Sequence, residues 1–231
     1  MRCRASTLLG TLVVSDGESE KHQVVIDPGE IQAVLFDMDG TLVDSDRAVE
    51  RAWAAWAREY GTDGKAAYEL AHGSPSESTV RKLLPHLTDT EIRGASARQL
   101  ELQYEDLSDV VASPGATDLL GILDRRGLPW AVVTSADARL ANARLAAAGI
   151  TPPVLVTTDD VPAGKPDPAG YLLAAERLGV PPERCLVVED AEVGLQAGRA
   201  AGAQTAALRG LDGDLRLDSL ADLGALLGSA G

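Results

Sequence analysis

Two carboxylates, Asp37 and Asp39, stand two residues apart where the apolar run Ala33-Val34-Leu35-Phe36 gives way to Gly40-Thr41. On an extended chain, residues i and i+2 point to the same side, so both acids face one cleft. Carboxylates this close repel each other unless a cation or a shared proton intervenes. The pair therefore implies a metal site or acid–base chemistry. The glycine and hydroxyl that follow form a turn whose amides can hold an anion. A carboxylate nucleophile, a neighbouring carboxylic acid, a divalent metal and a phosphate-sized anion are the working parts of phosphomonoester hydrolysis.

Three later stretches carry compatible groups at the ends of strand-length runs. Trp130-Ala131-Val132-Val133 ends in Thr134-Ser135-Ala136 before a helical pattern from Asp137 to Ala148. A hydroxyl such as that of Ser135, with the amides at the helix start near Ala136, can donate to a phosphoryl oxygen. Ser and Thr in such places also serve simply as helix caps. Gly164-Lys165-Pro166-Asp167-Pro168 places one ammonium in a proline-stiffened loop, suited to sit against a phosphate and a nucleophile. Cys185-Leu186-Val187-Val188 ends in Glu189-Asp190, oxygen ligands of the kind that a hard cation such as Mg²⁺ prefers.

The segment Asp37-Met38-Asp39-Gly40-Thr41-Leu42-Val43-Asp44-Ser45 resembles the first signature of the haloacid dehalogenase-like hydrolases, in the form used by their phosphatases and phosphomutases. All four stretches, in order, match that pattern from about Ile31 to Leu208. The resemblance implies an α/β fold: a Rossmann-like parallel sheet core with helices on both faces and a small inserted all-helical cap domain. It also implies roles. Asp37 becomes an aspartyl phosphate, and Asp39 acts as general acid and then base. Lys165 and Ser135 hold the transferring oxygens, and Thr41 orients the loop. Mg²⁺ is held by Asp37, Asp190 and the carbonyl of Asp39, with Glu189 acting through water. A dehalogenase would lack the second acid, so Asp39 argues against one. Two readings stay open beside the phosphatase. One is a β-phosphoglucomutase-type enzyme, which shares every core motif. The other is a binding protein without catalysis, which would be expected to have lost a motif acid.

The elements that must position these groups alternate between apolar runs and helical patterns, as in a parallel sheet covered on both faces. Candidate strands are Ala33–Asp37, Trp130–Thr134, Val154–Val156, Cys185–Val188 and Thr205–Leu208. The core is expected over 31–46 and 112–231, with a helical cap over 47–111. Within the cap, Val49, Trp53, Trp56 and Tyr60 follow helical spacing before Gly61, a C-cap candidate. Val80, Leu83, Leu84 and Leu87 make a second apolar stripe, and Thr88-Asp89-Thr90-Glu91 reads as a capping box. The Trp53/Trp56 pair is expected in the bundle core rather than as a sugar platform. Asp44–Asp46 and Ser108–Pro114 are the expected hinges. His72, in Ala71-His72-Gly73-Ser74, is the cap residue expected to reach the substrate. Glu50–Gly61 with His72-Gly73 is similar to the cap of bacterial sugar and glycerol phosphate phosphatases, although the arginine some relatives place near Pro75 is absent here.

Composition sets limits. With 231 residues the chain can bury a sizeable core. Only 3% is aromatic, so that core must be built from Ala, Val and Leu. Net charge is −14, from 21 basic and 35 acidic residues, which argues against nucleic acid or an anionic membrane as partner. A small phosphorylated metabolite must then be drawn in by a local cation and a metal, against the global field. Cys3 and Cys185 are far apart, as expected of a reduced, cytoplasmic protein, here expected as a monomer. Residues 1–30 read as an extension. Leu8–Val14 is too short and too closely followed by Asp16, Glu18 and Glu20 for a secretory leader. A hairpin pairing Leu12–Ser15 with Gln23–Ile26 is one expectation for it.

Overall fold

The computed structural model describes residues 26–71 and 75–229, together with the backbone of 6–8 and 11–13. At the N-terminus, β1 (Ser6–Leu8) pairs antiparallel with β2 (Thr11–Val13), so that Leu12 lies opposite Thr7. The expected partner strand at 23–25 lies outside the described residues. Ile26 and Ile31 are buried in the main hydrophobic cluster, so the packed chain begins before the first core strand.

That strand, β3 (Ala33–Phe36), is followed by the two-residue β4 (Val43–Asp44). Four helices come next: α1 (Asp46–Tyr60), α2 (Gly64–Ala71), α3 (Ser76–Leu83) and α4 (Asp89–Gln103). The chain returns through β5 (Val111–Ala112), which pairs antiparallel with β4, Val43 facing Ala112. This two-stranded ribbon ties both crossings between helices and core, where hinges were expected. The remaining elements are α5 (Ala116–Arg126), β6 (Trp130–Val133), α6 (Ala138–Ala147), β7 (Leu155–Val156), α7 (Ala169–Leu178), β8 (Cys185–Glu189), α8 (Glu192–Ala200), β9 (Gln204–Ala207), β10 (Leu215–Arg216) and α9 (Leu220–Ser229).

Six strands form one parallel sheet in the order β10-β9-β8-β3-β6-β7. The period of two along β3 explains the layering. Val34 and Phe36 join one apolar cluster with Leu119, Leu123, Leu140, Leu145 and Leu223, from α5, α6 and α9. Ala33 and Leu35 join another with Tyr171, Ala174, Ala175 and Ala197, from α7 and α8. Both faces are covered, which is why the strands read as continuous aliphatic runs. The five expected strands are present to within a residue at each end. The edge strand β10 was not foreseen, because Leu215-Arg216 is too short to show a pattern.

The inserted helices have their own apolar cluster, around Trp53, Trp56, Val80, Ile92 and Leu102. Trp56 is fully buried and its indole Nε1 donates to the carbonyl of Ala95 at 2.8 Å. It packs edge-on to Trp53 and stacks on Tyr60. Burying one such side chain contributes about 1.5–3 kcal/mol, so the tryptophans hold α1 to α4 as expected of bundle core, although Trp53 also lines the cavity between helices and sheet. Gly61 caps α1 at φ 68°, and Thr88 with Glu91 forms the capping box of α4. Val80, Leu83, Leu84 and Leu87 all pack on this cluster as expected, although not from one helix: α3 stops at Leu83 and the backbone leaves it at Leu84, φ −129°, ψ 65°. Gly64–Ala71 is a helix of its own that the apolar spacing did not show. None of the described helices is long and apolar enough to cross a membrane.

Candidate active site

Chain direction brings the chemistry together. β3, β6 and β8 are adjacent and parallel, so the residues just past their C-terminal ends converge. The chain builds β6 and β7 on one side of β3 and β8 to β10 on the other, and open α/β sheets bind ligands at such a switch point. A cavity of about 640 Å³ opens there, between the sheet and the inserted helices. Asp37, Asp39, Ser135, Ala136, Lys165, Glu189 and Asp190 all line it.

At its floor, Lys165 Nζ lies 2.5 Å from Asp37 Oδ1 and 2.6 Å from Glu189 Oε1, and donates to the carbonyl of Val133 at 3.0 Å. Burial alone would lower its pKa. The Asp37 and Glu189 carboxylates outweigh that and hold it above the ordinary lysine value, so the side chain is a fixed ammonium. Glu189 is spoken for: Oε1 also accepts from Tyr171 Oη at 2.6 Å, and Oε2 from the amides of Asp190 and Ala191. A Cβ at position 194 would fall 1.8 Å from Glu189 Oε1, so only glycine leaves room for this carboxylate at the start of α8.

Asp37, Glu189 and Asp190 are buried, and one oxygen from each lies within 4.8 Å of the others. Burial, reinforced by the Glu189 and Asp190 charges, pushes the Asp37 carboxyl above its usual range despite Lys165. Three buried carboxylates face two cations, Lys165 and the Arg209 guanidinium at 2.9 Å from Asp190 Oδ2. The negative charge that remains is one a divalent cation would offset, and the all-oxygen donor set fits a hard ion. Gly40 completes the cradle. At φ 82°, a Cβ there would lie 2.1 Å from Asp190 Oδ2.

Asp39 stands at the other side of the nucleophile position. Ser45 Oγ donates to its Oδ1 at 2.6 Å, and Arg144 Nη1 reaches its Oδ2 at 2.8 Å. Thr41 is buried beneath the loop, and its Oγ1 has no partner among the described residues. Thr134 and Ser135 do not cap α6. Asp137 does, accepting from the amide of Leu140 at 2.8 Å, which leaves the Ser135 hydroxyl at the cavity. His72 lies outside the described residues.

Several polar groups at the site were not foreseen: Arg144, Arg209, Tyr171, and Gln99 and Gln103 of α4. Arg144 sits among Leu140, Ala141 and Leu145 on the buried face of α6 and is 2% exposed. An arginine inside an apolar stripe was the signal available. Gln99 is likewise buried on the inner face of α4, in register with Ile92, Ala95 and Leu102.

The family model described as haloacid dehalogenase-like hydrolase matches residues 31–202. The chain belongs to the haloacid dehalogenase-like hydrolases. It is an enzyme, a phosphatase of that type, as its relatives agree. It is similar to hexitol phosphatase A of Escherichia coli, at 41% identity over 75% of this chain and 81% of that one. It is also similar to 2-deoxyglucose-6-phosphate phosphatase 1 of Saccharomyces cerevisiae, at 37% identity over 74% and 77%. Among solved structures, CbbY from Rhodobacter sphaeroides in complex with phosphate superposes with a TM-score of 0.74 at 28% identity, covering 85% of this chain and 99% of that one.

Proposed function

We propose that this hydrolase releases inorganic phosphate from a small sugar or polyol phosphate through an aspartyl phosphate on Asp37. The observation that carries the reading is the division of labour around the cleft. Asp37 is pinned at 2.5 Å to a buried ammonium, while Asp39, two residues on, is held apart from it by Ser45 and Arg144. One carboxylate is placed to attack, and the other to move a proton.

In this mechanism Asp37 Oδ attacks phosphorus and the ester P–O bond breaks. Asp39 gives its proton to the departing alkoxide oxygen. Asp39 then takes a proton from water, whose oxygen attacks phosphorus. The bond to Asp37 breaks, and phosphate leaves. Lys165 stays charged and keeps the buried nucleophile in place, and Glu189 and Tyr171 hold Lys165. Asp37, Asp190 and the Asp39 carbonyl would hold Mg²⁺, with Glu189 behind them, to supply charge neutralisation for the phosphoryl oxygens. Ser135 and the Ala136 amide would be the donors on the β6 side, the amide exchanging its 3.1 Å bond to Thr134 Oγ1 for a phosphoryl oxygen. Positioning and electrostatics supply most of the rate in phosphoryl transfer.

The names of the two phosphatase relatives, one hexitol and one hexose phosphate, support the substrate class. We divide the chain into a core, 31–46 with 112–231, and a cap, 47–111, that reads the leaving group; His72 belongs to that cap. We further propose a monomer in the cytoplasm; the buried Cys185 thiol, in no disulfide, is in keeping with a reducing compartment. The test measures phosphate release from hexitol and hexose phosphates alongside β-glucose 1-phosphate isomerisation on one preparation. Phosphate release without a bisphosphate activator is expected. Isomerisation that outpaces it would hand the case to the mutase reading.

A further inference from the structure

Three buried polar atoms on the helical wall of the cavity have no hydrogen-bond partner among the described residues: Gln99 Nε2, Ser96 Oγ and Ser76 Oγ. Buried polar groups are nearly always satisfied, and an unmade hydrogen bond is costly. Gln99 is 1% exposed and Ser96 7%.

The orientation of Gln99 follows from its neighbours. Arg144 has donors only. Its Nη1 meets Asp39 Oδ2 at 2.8 Å and its Nη2 donates to Gln103 Oε1 at 2.7 Å. Gln103 must therefore turn its oxygen to Arg144 and its amide nitrogen to Gln99, where Nε2 donates to Gln99 Oε1 at 2.7 Å. Gln99 is left with a free N–H₂. A guanidinium on the core thus fixes the polarity of two amides on α4, and the chain of bonds runs from the proton-moving Asp39 to the unpartnered donor.

We propose that Gln99 Nε2, with the hydroxyls of Ser96 and Ser76, is the subsite that binds the leaving group, and that its ligand is a neutral, hydroxyl-bearing carbon skeleton. This rests on the phosphatase reading above and names where the selectivity lies: the inner faces of α3 and α4. These three donors are uncharged. Of the guanidinium groups lining the same cavity, Arg144 spends its charge on Asp39 at 2.8 Å although its Nε has no partner among the described residues, and Arg93 is exposed and donates to Thr90. The set therefore matches hydroxyl or ring oxygens rather than a second phosphate. Gln99 binds the ligand; Gln103 and Arg144 are positioning residues for it.

The test compares kcat/KM for a hexitol phosphate, a sugar bisphosphate and p-nitrophenyl phosphate in wild type and in Gln99→Leu, Gln99→Glu and Ser96→Ala, with melting curves to verify folding. Loss of one neutral hydrogen bond corresponds to about tenfold. Gln99→Leu should lower kcat/KM for the hexitol phosphate by about that factor, and at least several times more than for the aryl ester. Gln99→Glu keeps the size and the acceptor for Gln103 but loses the donor, so it should fall with Gln99→Leu. An equal fall on both monophosphates, or a Gln99→Glu variant that retains hexitol phosphate turnover, would overturn the subsite. So would a wild-type preference for the bisphosphate. A wild type that cleaves the aryl ester but no hexitol or hexose phosphate would overturn the substrate class itself, and the subsite with it.

Discussion

Arg209 Nη2 lies 3.0 Å from Asp46 Oδ1, so a residue of the core holds the first residue of the inserted helices. The same guanidinium places Nε 2.9 Å from Asp190 Oδ2 in the acidic cluster. It holds this position with φ 52°, a backbone conformation that side-chain-bearing residues rarely adopt. The contact with Asp46 is part-exposed on both sides, so its removal should cost folding stability no more than about 1 kcal/mol. Asp190 is buried, and the charge that loss of Arg209 uncovers there is offset when Mg²⁺ is bound. Partners that orient a metal-binding carboxylate matter more, commonly about 10–100-fold in affinity. Arg209→Ala should therefore weaken Mg²⁺ binding by about tenfold with a nearly unchanged melting temperature in saturating Mg²⁺, and Arg209→Lys should restore part of the affinity. Calorimetric titration that finds unchanged or tighter binding in Arg209→Ala would show that Arg209 does not orient Asp190.

The two motif acids should fail differently. Asp37→Asn should abolish turnover, because an amide cannot form the acyl phosphate. Asp39→Asn should slow both chemical steps by about 10²–10⁴-fold and leave the fold intact. Rapid-quench detection of a phosphorylated protein checks both, and near-normal turnover by Asp37→Asn would remove the covalent mechanism.

Asp37 also sets a pH dependence. Its folded pKa stands above the ordinary 3.8, with burial the largest cause. A carboxyl with a raised folded pKa contributes stability that is full below the ordinary value and lost as pH rises through the folded pKa. In chelator, the wild-type melting temperature should therefore fall from pH 4 upward more steeply than that of Asp37→Asn. Parallel curves would mean that Asp37 carries no such burden. Mg²⁺ should lift the wild-type curve most at the higher pH, where the ligands are ionised.

Chelation should stop turnover and Mg²⁺ should restore it. Ca²⁺ should inhibit, because it accepts a looser and higher coordination that misplaces the nucleophile. Full activity in EDTA would remove the metal from the mechanism.

Deleting residues 1–25 should leave turnover and melting temperature nearly unchanged, since every site residue lies beyond them. Ile26 differs, because it is buried in the main core. Ile26→Ala in the full chain should cost about 2–5 kcal/mol. Chemical denaturation checks both, and a large loss on truncation at 25 would show that the preceding segment packs on the core.

The reacting groups were legible in the chain because each carries a short, local pattern, at the end of a strand for Asp37, Thr134 and Glu189 and in the proline-rich loop before α7 for Lys165. Asp37-x-Asp39-Gly40, Thr134-Ser135, Lys165-Pro166 and Glu189-Asp190 carry their own spacing, and apolar runs of strand length tell where they stand. The helical insert was legible from Trp53, Trp56 and the Thr88–Glu91 capping box for the same reason. Only the tertiary structure brought Arg144 to Asp39 and Gln103, over sequence separations of 105 and 41 residues. It alone placed Arg209 between Asp46 and Asp190, and turned Gln99 inward with an unpartnered amide. Helical period can say that a polar residue shares a face with Ile92 or Leu140. It cannot say which residue from another element stands opposite, because that depends on how α4 packs over the sheet and where α6 ends against it.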